Sequence, residues 1–474
     1  MSIQYKFKVN IAVVSAGKSI YNKRAGGIPM KKWMIQHNGY KKACSKVVSA
    51  MQPYLDYVLC CDTKPQEKYN CITLSVDAGI RGVKITVSEA DCENQSILIA
   101  GQDEAHLFYA SCDFKTKYLP FVRSQPKYRR CNAPKLFDAP LCPYTYQSAP
   151  KIRQRGIWTW GHTIYDYRRF IDNMAECKMN TLIVWNDFVP TNIGEVISYA
   201  HEYYIKVYLG YTWGWDNCVP TALDDGYIRE MTETALKTHR EQYKDIPCDG
   251  IYFQTVTEHK NATISGRSVA RTVTDMVNYI AGELLKEQPD LQILFGLHAT
   301  SVLTSFSHIA TVDPRISIIW EDVGAFPWNY FPQDTDGFEQ TLADTRKIQT
   351  LREAGGFGGV LKGYANLDWT AFRHHEGPCP IGISTADHIG RLDAERREYK
   401  RFFLAGWLKY APKALELIRQ LPFDAMMTVL VEDACFEEHL HFPVALYAEM
   451  LWDHGRDLGD MLYEVALNPA VDFT

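Results

Sequence analysis

From Gly156 onward, short runs of apolar and β-branched residues recur, separated by amphipathic stretches. This alternation constrains the fold more than any other feature of the chain. The runs are Gly156–Trp160, Thr181–Trp185, Lys206–Gly210, Gly250–Phe253, Leu291–Phe295, Ile316–Trp320 and Gly359–Tyr364, with Met427–Val431 as a weaker eighth. Each has the length and residue type of a buried strand. Between them, apolar residues fall at helical spacing. Ile164, Tyr167, Ile171, Met174 and Ala175 follow a capping-box-like start at Thr163 and Asp166. Further helices are predicted from about Thr191, over Asp225–Tyr243, over Val269–Leu285 and over Phe338–Leu351. Strands alternating with helices imply a parallel sheet, and about eight such units imply a closed (β/α)8 TIM-like barrel. An open doubly wound sheet is the alternative. No G-x-G-x-x-G or P-loop follows the first strand, so nucleotide binding has no support.

The fold class is therefore α/β, a TIM-like barrel preceded by a small α+β domain and followed by a helical segment. Residues 1–125 form the α+β domain. In it Ile72, Leu74 and Val76 alternate, as do Val83, Ile85 and Val87, with turn residues Asp77, Gly79 and Gly82 between them. Ile97–Ala100 reads as a strand, Gly101 as a turn, and Asp103 with Glu104 as a helix start, where acids suit the dipole. Residues 126–150 hold repeated prolines and read as a connector without regular structure. The barrel spans 151–435 and the C-terminal helical segment 436–474.

Composition narrows the function. Hydrophobic residues make up 46% and charged residues 23% of the 474, the balance of a soluble globular protein. A net charge of −5 without a basic run gives no support for nucleic-acid binding. No stretch approaches the length of a membrane span, and the short apolar run Ile11–Val14 is no secretory signal. The 13 cysteines include no C-x-x-C and no zinc spacing, which suits reduced thiols and a cytoplasmic location. His374, His375 and Glu376 are adjacent but have no further ligand spacing, so neither a metal nor another cofactor is expected. The sequence is compatible with a homo-oligomer.

Chemistry concentrates where strands end. The fourth run passes abruptly into Glu258, His259, Lys260 and Asn261, and in a parallel barrel the C-terminal strand ends carry the active site. Glu258 is the candidate acid; its ordinary alternative is to open a loop or cap a helix. Other strand ends carry Trp158 and Trp160, Asn186 and Asp187, Trp213 and Trp215, His298, Trp320 with Glu321 and Asp322, and Lys362 with Tyr364, Asn366 and Asp368. Carboxylates, indoles and amides gathered at one mouth suit a sugar: rings pack on the pyranose face, amides bind hydroxyls, and two acids flank the glycosidic bond. Each has an ordinary use as well. Trp158 or Trp160 could be core, Asp187 and Asp322 could cap helices, and His298 could be a satisfied buried histidine. Glu321 and Asp322 face opposite sides of a continuing strand, so one of them at most reaches the site.

The layout resembles the glycoside hydrolases of the β-hexosaminidase, O-GlcNAcase and α-glucuronidase group. The residues that carry the resemblance are Ile97-Leu-Ile-Ala-Gly101-x-Asp103-Glu104-x-x-x-x-Tyr109, Arg155-Gly-Ile-Trp158 and Ala448-Glu-Met-Leu-Trp452. It implies that Glu258, after the fourth barrel strand, is the proton donor. The Asp-Glu pair of β-hexosaminidases is absent, since Thr257 precedes Glu258, and so are the adjacent aspartates of O-GlcNAcases. The α-glucuronidases pair a fourth-strand glutamate with later carboxylates, a place Glu321, Asp322 or Asp368 could fill. Lys260, Lys362 or Arg155 would then hold a sugar carboxylate.

The sequence thus points to a glycoside hydrolase that removes a terminal sugar from short oligosaccharides, with an α-glucuronidase-like site. A substrate-assisted β-N-acetylhexosaminidase and a catalytically silent carbohydrate-binding barrel are the alternatives; a metal- or cofactor-dependent lyase or isomerase is a third.

Overall fold

A computed structural model describes residues 32–54, 59–61, 69–90, 94–125, 136–137, 140–160, 164, 166–185, 188–214, 220, 222–257, 261–298, 302, 305–321, 338–352, 355–362, 381, 397, 407–431 and 435–472. The chain divides into two compact units, Met1–Ser148 and Ala149–Thr474.

The first unit holds a six-stranded sheet of β1 (Lys32–Gln36), β2 (Leu59–Cys61), β3 (Tyr69–Val76), β4 (Val83–Val87), β5 (Ser96–Gly101) and β6 (Tyr144–Ser148), in the order β2-β1-β3-β5-β4-β6. The first three strands and β5 run parallel, while β4 is antiparallel to both β5 and β6. Period-two patterning sets the buried face: Ile72 and Leu74 on β3, and Val83, Ile85 and Val87 on β4, are buried. The turn predicted at Gly101 opens the helix α1 (Glu104–Asp113), whose N-cap is Asp103: its carboxylate accepts from the His106 amide at 2.8 Å. A Cβ on Gly101 would lie 2.0 Å from the Leu107 amide nitrogen, so only glycine lets strand and helix approach so closely. One boundary differs from expectation. Tyr144–Ser148, placed in the connector on its prolines, forms β6 and pairs with β4 over five residues. The last proline of that stretch, Pro150, comes after the pairing ends, so it removes no ladder donor.

In the second unit eight parallel strands close into a barrel: β7 (Gln154–Trp160), β8 (Thr181–Trp185), β9 (Lys206–Thr212), β10 (Gly250–Gln254), then, after the small β11–β12 hairpin (Thr263–Ile264 and Arg267–Ser268), β13 (Ile293–Leu297), β14 (Ile316–Trp320), β15 (Phe357–Leu361) and β16 (Met426–Leu430). Neighbours in the barrel follow chain order, and β16 pairs with β7 to close it. The weakly marked eighth run is thus the closing strand. Between strands lie α2 (Tyr167–Glu176), α3 (Ile193–His201), α4 (Asp225–Thr238), α5 (Val269–Glu287), α6 (Phe306–Ile309), α7 (Phe338–Gln349) and α8 (Trp407–Ile418). The cap of α2 is Asp166, three residues past the predicted start, with its carboxylate accepting from the Arg169 amide. No helix among the described residues is long and apolar enough to cross a membrane.

The barrel interior is a packed core of Trp158, Ile183, Trp185, Tyr208, Tyr252, Leu294, Ile319, Val360, Met426 and Leu430. Four indole and phenol groups crowd it, and inward glycines make the space. A Cβ on Gly210 would sit 2.5 Å from the Trp185 ring, and one on Gly358 2.6 Å from Ile319 Cδ1. At the N-terminal end of β7 the chain is fixed from below. Lys151 and Ile152 donate backbone bonds to the carbonyls of Trp452 and Leu451, so the helix Phe442–Trp452 is tied to this end of the barrel. Lys178 pairs with Glu449 at 2.8 Å and lies over the Trp452 ring.

Two glycines of this unit should respond in opposite ways to alanine. A Cβ at Gly156 would fall 1.6 Å from the Thr181 carbonyl oxygen, across the β7–β8 pairing. Gly194, in α3, has nothing within 4 Å. Thermal or denaturant unfolding should show Gly156→Ala costing at least the ~1–3 kcal/mol of an overpacked core. Gly194→Ala should gain about 0.5–1 kcal/mol.

Candidate functional site

The barrel turns polar at its C-terminal mouth because of period two. The interior positions of β10 are Gly250, Tyr252 and Gln254. On β13 the series runs through Leu294 and Gly296 to His298, on β14 through Ile319 to Glu321, and on β15 through Gly358 and Val360 to Lys362. The next inward residue after the apolar layer is therefore glutamine, histidine, glutamate or lysine on four neighbouring strands.

Glu321 is the centre of this layer and is fully buried. Its Oε1 accepts from the Tyr252 hydroxyl at 2.5 Å and from Gln254 Nε2 at 2.6 Å. Its Oε2 accepts from Gln254 Nε2 at 2.5 Å and Lys362 Nζ at 2.7 Å, and lies 2.9 Å from His298 Nε2. Burial by itself would raise the carboxyl's pKa. The neighbouring charges of Lys362 and His298, with the hydrogen bonds both make, overcome it and hold the group below its ordinary 4.5. Lys362 in turn lies 5.2 Å from the centre of the Trp158 ring.

The cluster needs a glycine opposite it. A Cβ at Gly296 would meet Glu321 Oε1 at 2.1 Å and the Tyr252 hydroxyl at 2.4 Å. The carboxylate occupies the space that any other residue of β13 would fill.

This geometry sorts the residues expected from sequence. Glu321, His298 and Lys362 are brought together with Trp158, all within the interior. Glu321 is not free to act as base or nucleophile. A carboxylate offers about four acceptor sites, and Tyr252, Gln254, Lys362 and His298 occupy them. Lys362 and His298 are each bonded to that carboxylate.

Three further expectations are corrected by register. Arg155 is the second residue of β7, at the opposite end of the barrel. Its guanidinium donates to the carbonyls of Ile152, Arg153 and Lys178 and lies over Trp452, so it holds the barrel floor. Trp213 follows the outward-facing Tyr211 by two residues and is fully buried, stacked on Phe253 at 3.8 Å with the rings 9° apart. It packs outside the barrel wall and is no exposed sugar platform. Trp320 alternates with the inward Ile319 and Glu321, so it too faces the helix layer, and it is buried. Trp158 is buried in the core, where its ring meets Tyr252 edge to face.

Glu258, His259, Lys260, Asn186, Asp187, Trp215, Asp322, Tyr364, Asn366 and Asp368 lie outside the described residues, as does the His374-His375-Glu376 run; the side chain of Trp160 does too. Glu258 follows the last residue of β10 by four positions, and Asp322 and Tyr364 follow Glu321 and Lys362 by one and two.

Tyr252 and Gln254 were missed. Both sit in the run Gly250-Ile-Tyr-Phe-Gln254, where the apolar character of the strand conceals their alternation with Ile251 and Phe253. Two polar atoms of interior residues are buried without a hydrogen-bond partner among the described residues: Gln254 Oε1 and Trp158 Nε1. Native folds contain few such atoms.

The barrel carries its charged layer at the C-terminal mouth. The sequence matches no family model and no curated protein. The fold is similar to solved glycoside hydrolases. Against CpGH84B the TM-score is 0.52 at 11% identity, over 92% of this chain and 71% of that one. Against a mutant Streptomyces plicatus β-hexosaminidase in complex with its product GlcNAc it is 0.50 at 12% identity, over 95% of each chain. Against Flavobacterium johnsoniae chitobiase it is 0.50 at 10% identity, over 94% of this chain and 70% of that one. The likeness establishes the TIM-barrel fold with its preceding mixed-sheet domain.

The buried anion has a pH signature. A carboxyl whose pKa is lowered by folding stabilises the native state fully above its unfolded value, and that stability is lost as the pH falls toward the folded value. Glu321→Gln should cost about 3–5 kcal/mol near neutral pH by stranding Lys362 and His298. The difference between wild type and variant should shrink as pH drops below the ordinary 4.5, as read by denaturant unfolding at a series of pH values. A difference that stays constant down to acid pH would mean that Glu321 is not the anion described.

Proposed function

We propose that the chain is a glycoside hydrolase that removes a terminal sugar, with Glu258 as the proton donor at the end of β10. The observation that carries this reading is the inward polar layer at the barrel mouth, built round Glu321 on β10, β13, β14 and β15. It puts fixed charge and hydrogen-bonding groups where a parallel barrel does its chemistry. The fold shared with a β-hexosaminidase that holds GlcNAc, and with a chitobiase, supports a sugar as the ligand.

In this mechanism Glu258 protonates the glycosidic oxygen, and a second group completes the displacement. Glu321 is excluded from that second role by its saturated oxygens, which leaves Asp322 or Asp368, or the substrate's own acetamido group. A carboxylate partner about 5 Å from Glu258 would give retention, and a wider gap inversion. Glu321 has an indirect part: as a fixed anion it keeps Lys362 charged and in place, a preorganised field that needs no rearrangement during reaction.

The uronic-acid reading has less behind it than the sequence suggested. Of the three cations proposed to hold a sugar carboxylate, Arg155 is at the barrel floor and Lys362 is paired with Glu321. Hydrolysis of an uncharged or N-acetylated sugar is the better fit.

The reading is tested with a panel of aryl α- and β-glycosides, neutral, N-acetylated and uronic. Wild type should release the phenol from a neutral or N-acetylated member. Glu258→Gln should lower kcat/KM by about 10²–10⁴, the contribution of a general acid, with less loss on the best leaving groups. Wild-type activity confined to uronides, or a Glu258→Gln variant as active as wild type on poor leaving groups, would contradict the proposal.

A further inference from the structure

We infer that Gln254 is the hydrogen-bond acceptor for a donor group of the bound sugar, a hydroxyl or an amide N–H, and that Glu321 fixes it in that role. The inference rests on the sugar-site reading above and narrows its substrate class to sugars that are uncharged where Gln254 meets them.

An amide side chain is ambiguous until something decides which end is which. Here Glu321 decides. Gln254 Nε2 lies 2.6 and 2.5 Å from the two carboxylate oxygens. Turning the amide over would place its carbonyl oxygen against both, with no proton between. Lys362 and His298 keep the carboxylate charged and seated, and the Tyr252 hydroxyl holds it from below. The nitrogen of Gln254 is therefore pinned to Glu321, and its Oε1 is turned away from the carboxylate.

That oxygen has no hydrogen-bond partner among the described residues, although Gln254 is 2% exposed. A buried carbonyl left without a donor is costly, and a fold seldom keeps one without a use. The residue is the last of β10, in the inward register and four positions before Glu258. The indole nitrogen of Trp158, whose ring packs against Tyr252 in the same interior cluster, is likewise buried without an acceptor among the described residues. A hydroxyl or an acetamido N–H can donate to the oriented acceptor. A carboxylate cannot, because it has no proton for Gln254 and is repelled by Glu321 behind it. A site built to meet a donor rejects ligands that lack one.

The test is equilibrium binding of glucose, N-acetylglucosamine and glucuronic acid by calorimetry, with turnover of the aryl glycosides measured separately. Wild type should bind one of the two uncharged sugars more tightly than glucuronic acid. Gln254→Met keeps the length and removes the acceptor, and it should weaken that sugar by about tenfold or more, which is 1.4 kcal/mol. Gln254→Asn keeps the amide but shortens its reach by one methylene, and should weaken that sugar likewise. If Gln254→Met does not fold, Gln254→Asn decides: folded with weakened binding supports the role, folded with wild-type affinity overturns it. Binding unaffected by Gln254→Met, tighter binding of glucuronic acid, or no binding of any of the three by wild type would also overturn it. Gln254-dependent binding without turnover would defeat the hydrolase reading and leave this one standing; turnover with binding indifferent to Gln254 would do the reverse.

Discussion

A carboxylate with no exposure stays charged only if its surroundings replace the water it has lost. Glu321 meets that condition through a lysine, a histidine, a phenol and an amide drawn from three other strand ends. The dependence runs both ways. Without the anion, Lys362 would be a buried cation with its partner gone, and Gln254 would lose what orients it. Pairs of this kind add little to stability against an apolar core of the same volume, but losing one partner is severe. Their worth here lies in geometry: four side chains are fixed at one end of the barrel before any ligand arrives.

The barrel below is shaped to permit this. Large rings at Trp158, Trp185, Tyr208 and Tyr252 fill the interior, and glycines at positions 210, 296 and 358 give them and the carboxylate room. At the other end, Arg155 and Lys178 are used as struts, each tied to neighbouring carbonyls or to Glu449 and laid over Trp452. The same residue types therefore do different work at the two ends. Cations at the floor bind the chain to itself, while those at the mouth surround a group that points into the barrel.

Much of the fold was legible because it depends on patterns that survive without tertiary information. Seven apolar runs, at the right length and spacing, became barrel strands to within about three residues at either end, in keeping with how loosely boundaries can be set. Asp103 announced a helix start, and it is one. The site was legible less evenly. His298, Glu321 and Lys362 stood out because charge at the end of an apolar run is expensive to bury. Which of them served which did not show, since register decides it, and a shift of one residue turns a side chain to the opposite face. Trp213 and Trp320 are the instructive errors. Trp213 follows β9 and Trp320 ends β14, both are aromatic, and both face the helix layer. Tyr252 and Gln254 are the converse: polar atoms inside an apolar strand, visible only once the barrel closes round them.

The central claim, that sugar is bound over the polar layer organised by Glu321, is tested most directly by a crystal structure of the protein with N-acetylglucosamine bound. The account predicts the sugar at the C-terminal mouth of the barrel, a donor group within hydrogen-bond distance of Gln254 Oε1, and Glu321 still bonded to Tyr252, Gln254, His298 and Lys362. A sugar bound away from the mouth, or a Glu321 carboxylate that has left its four partners to contact the ligand itself, would contradict it.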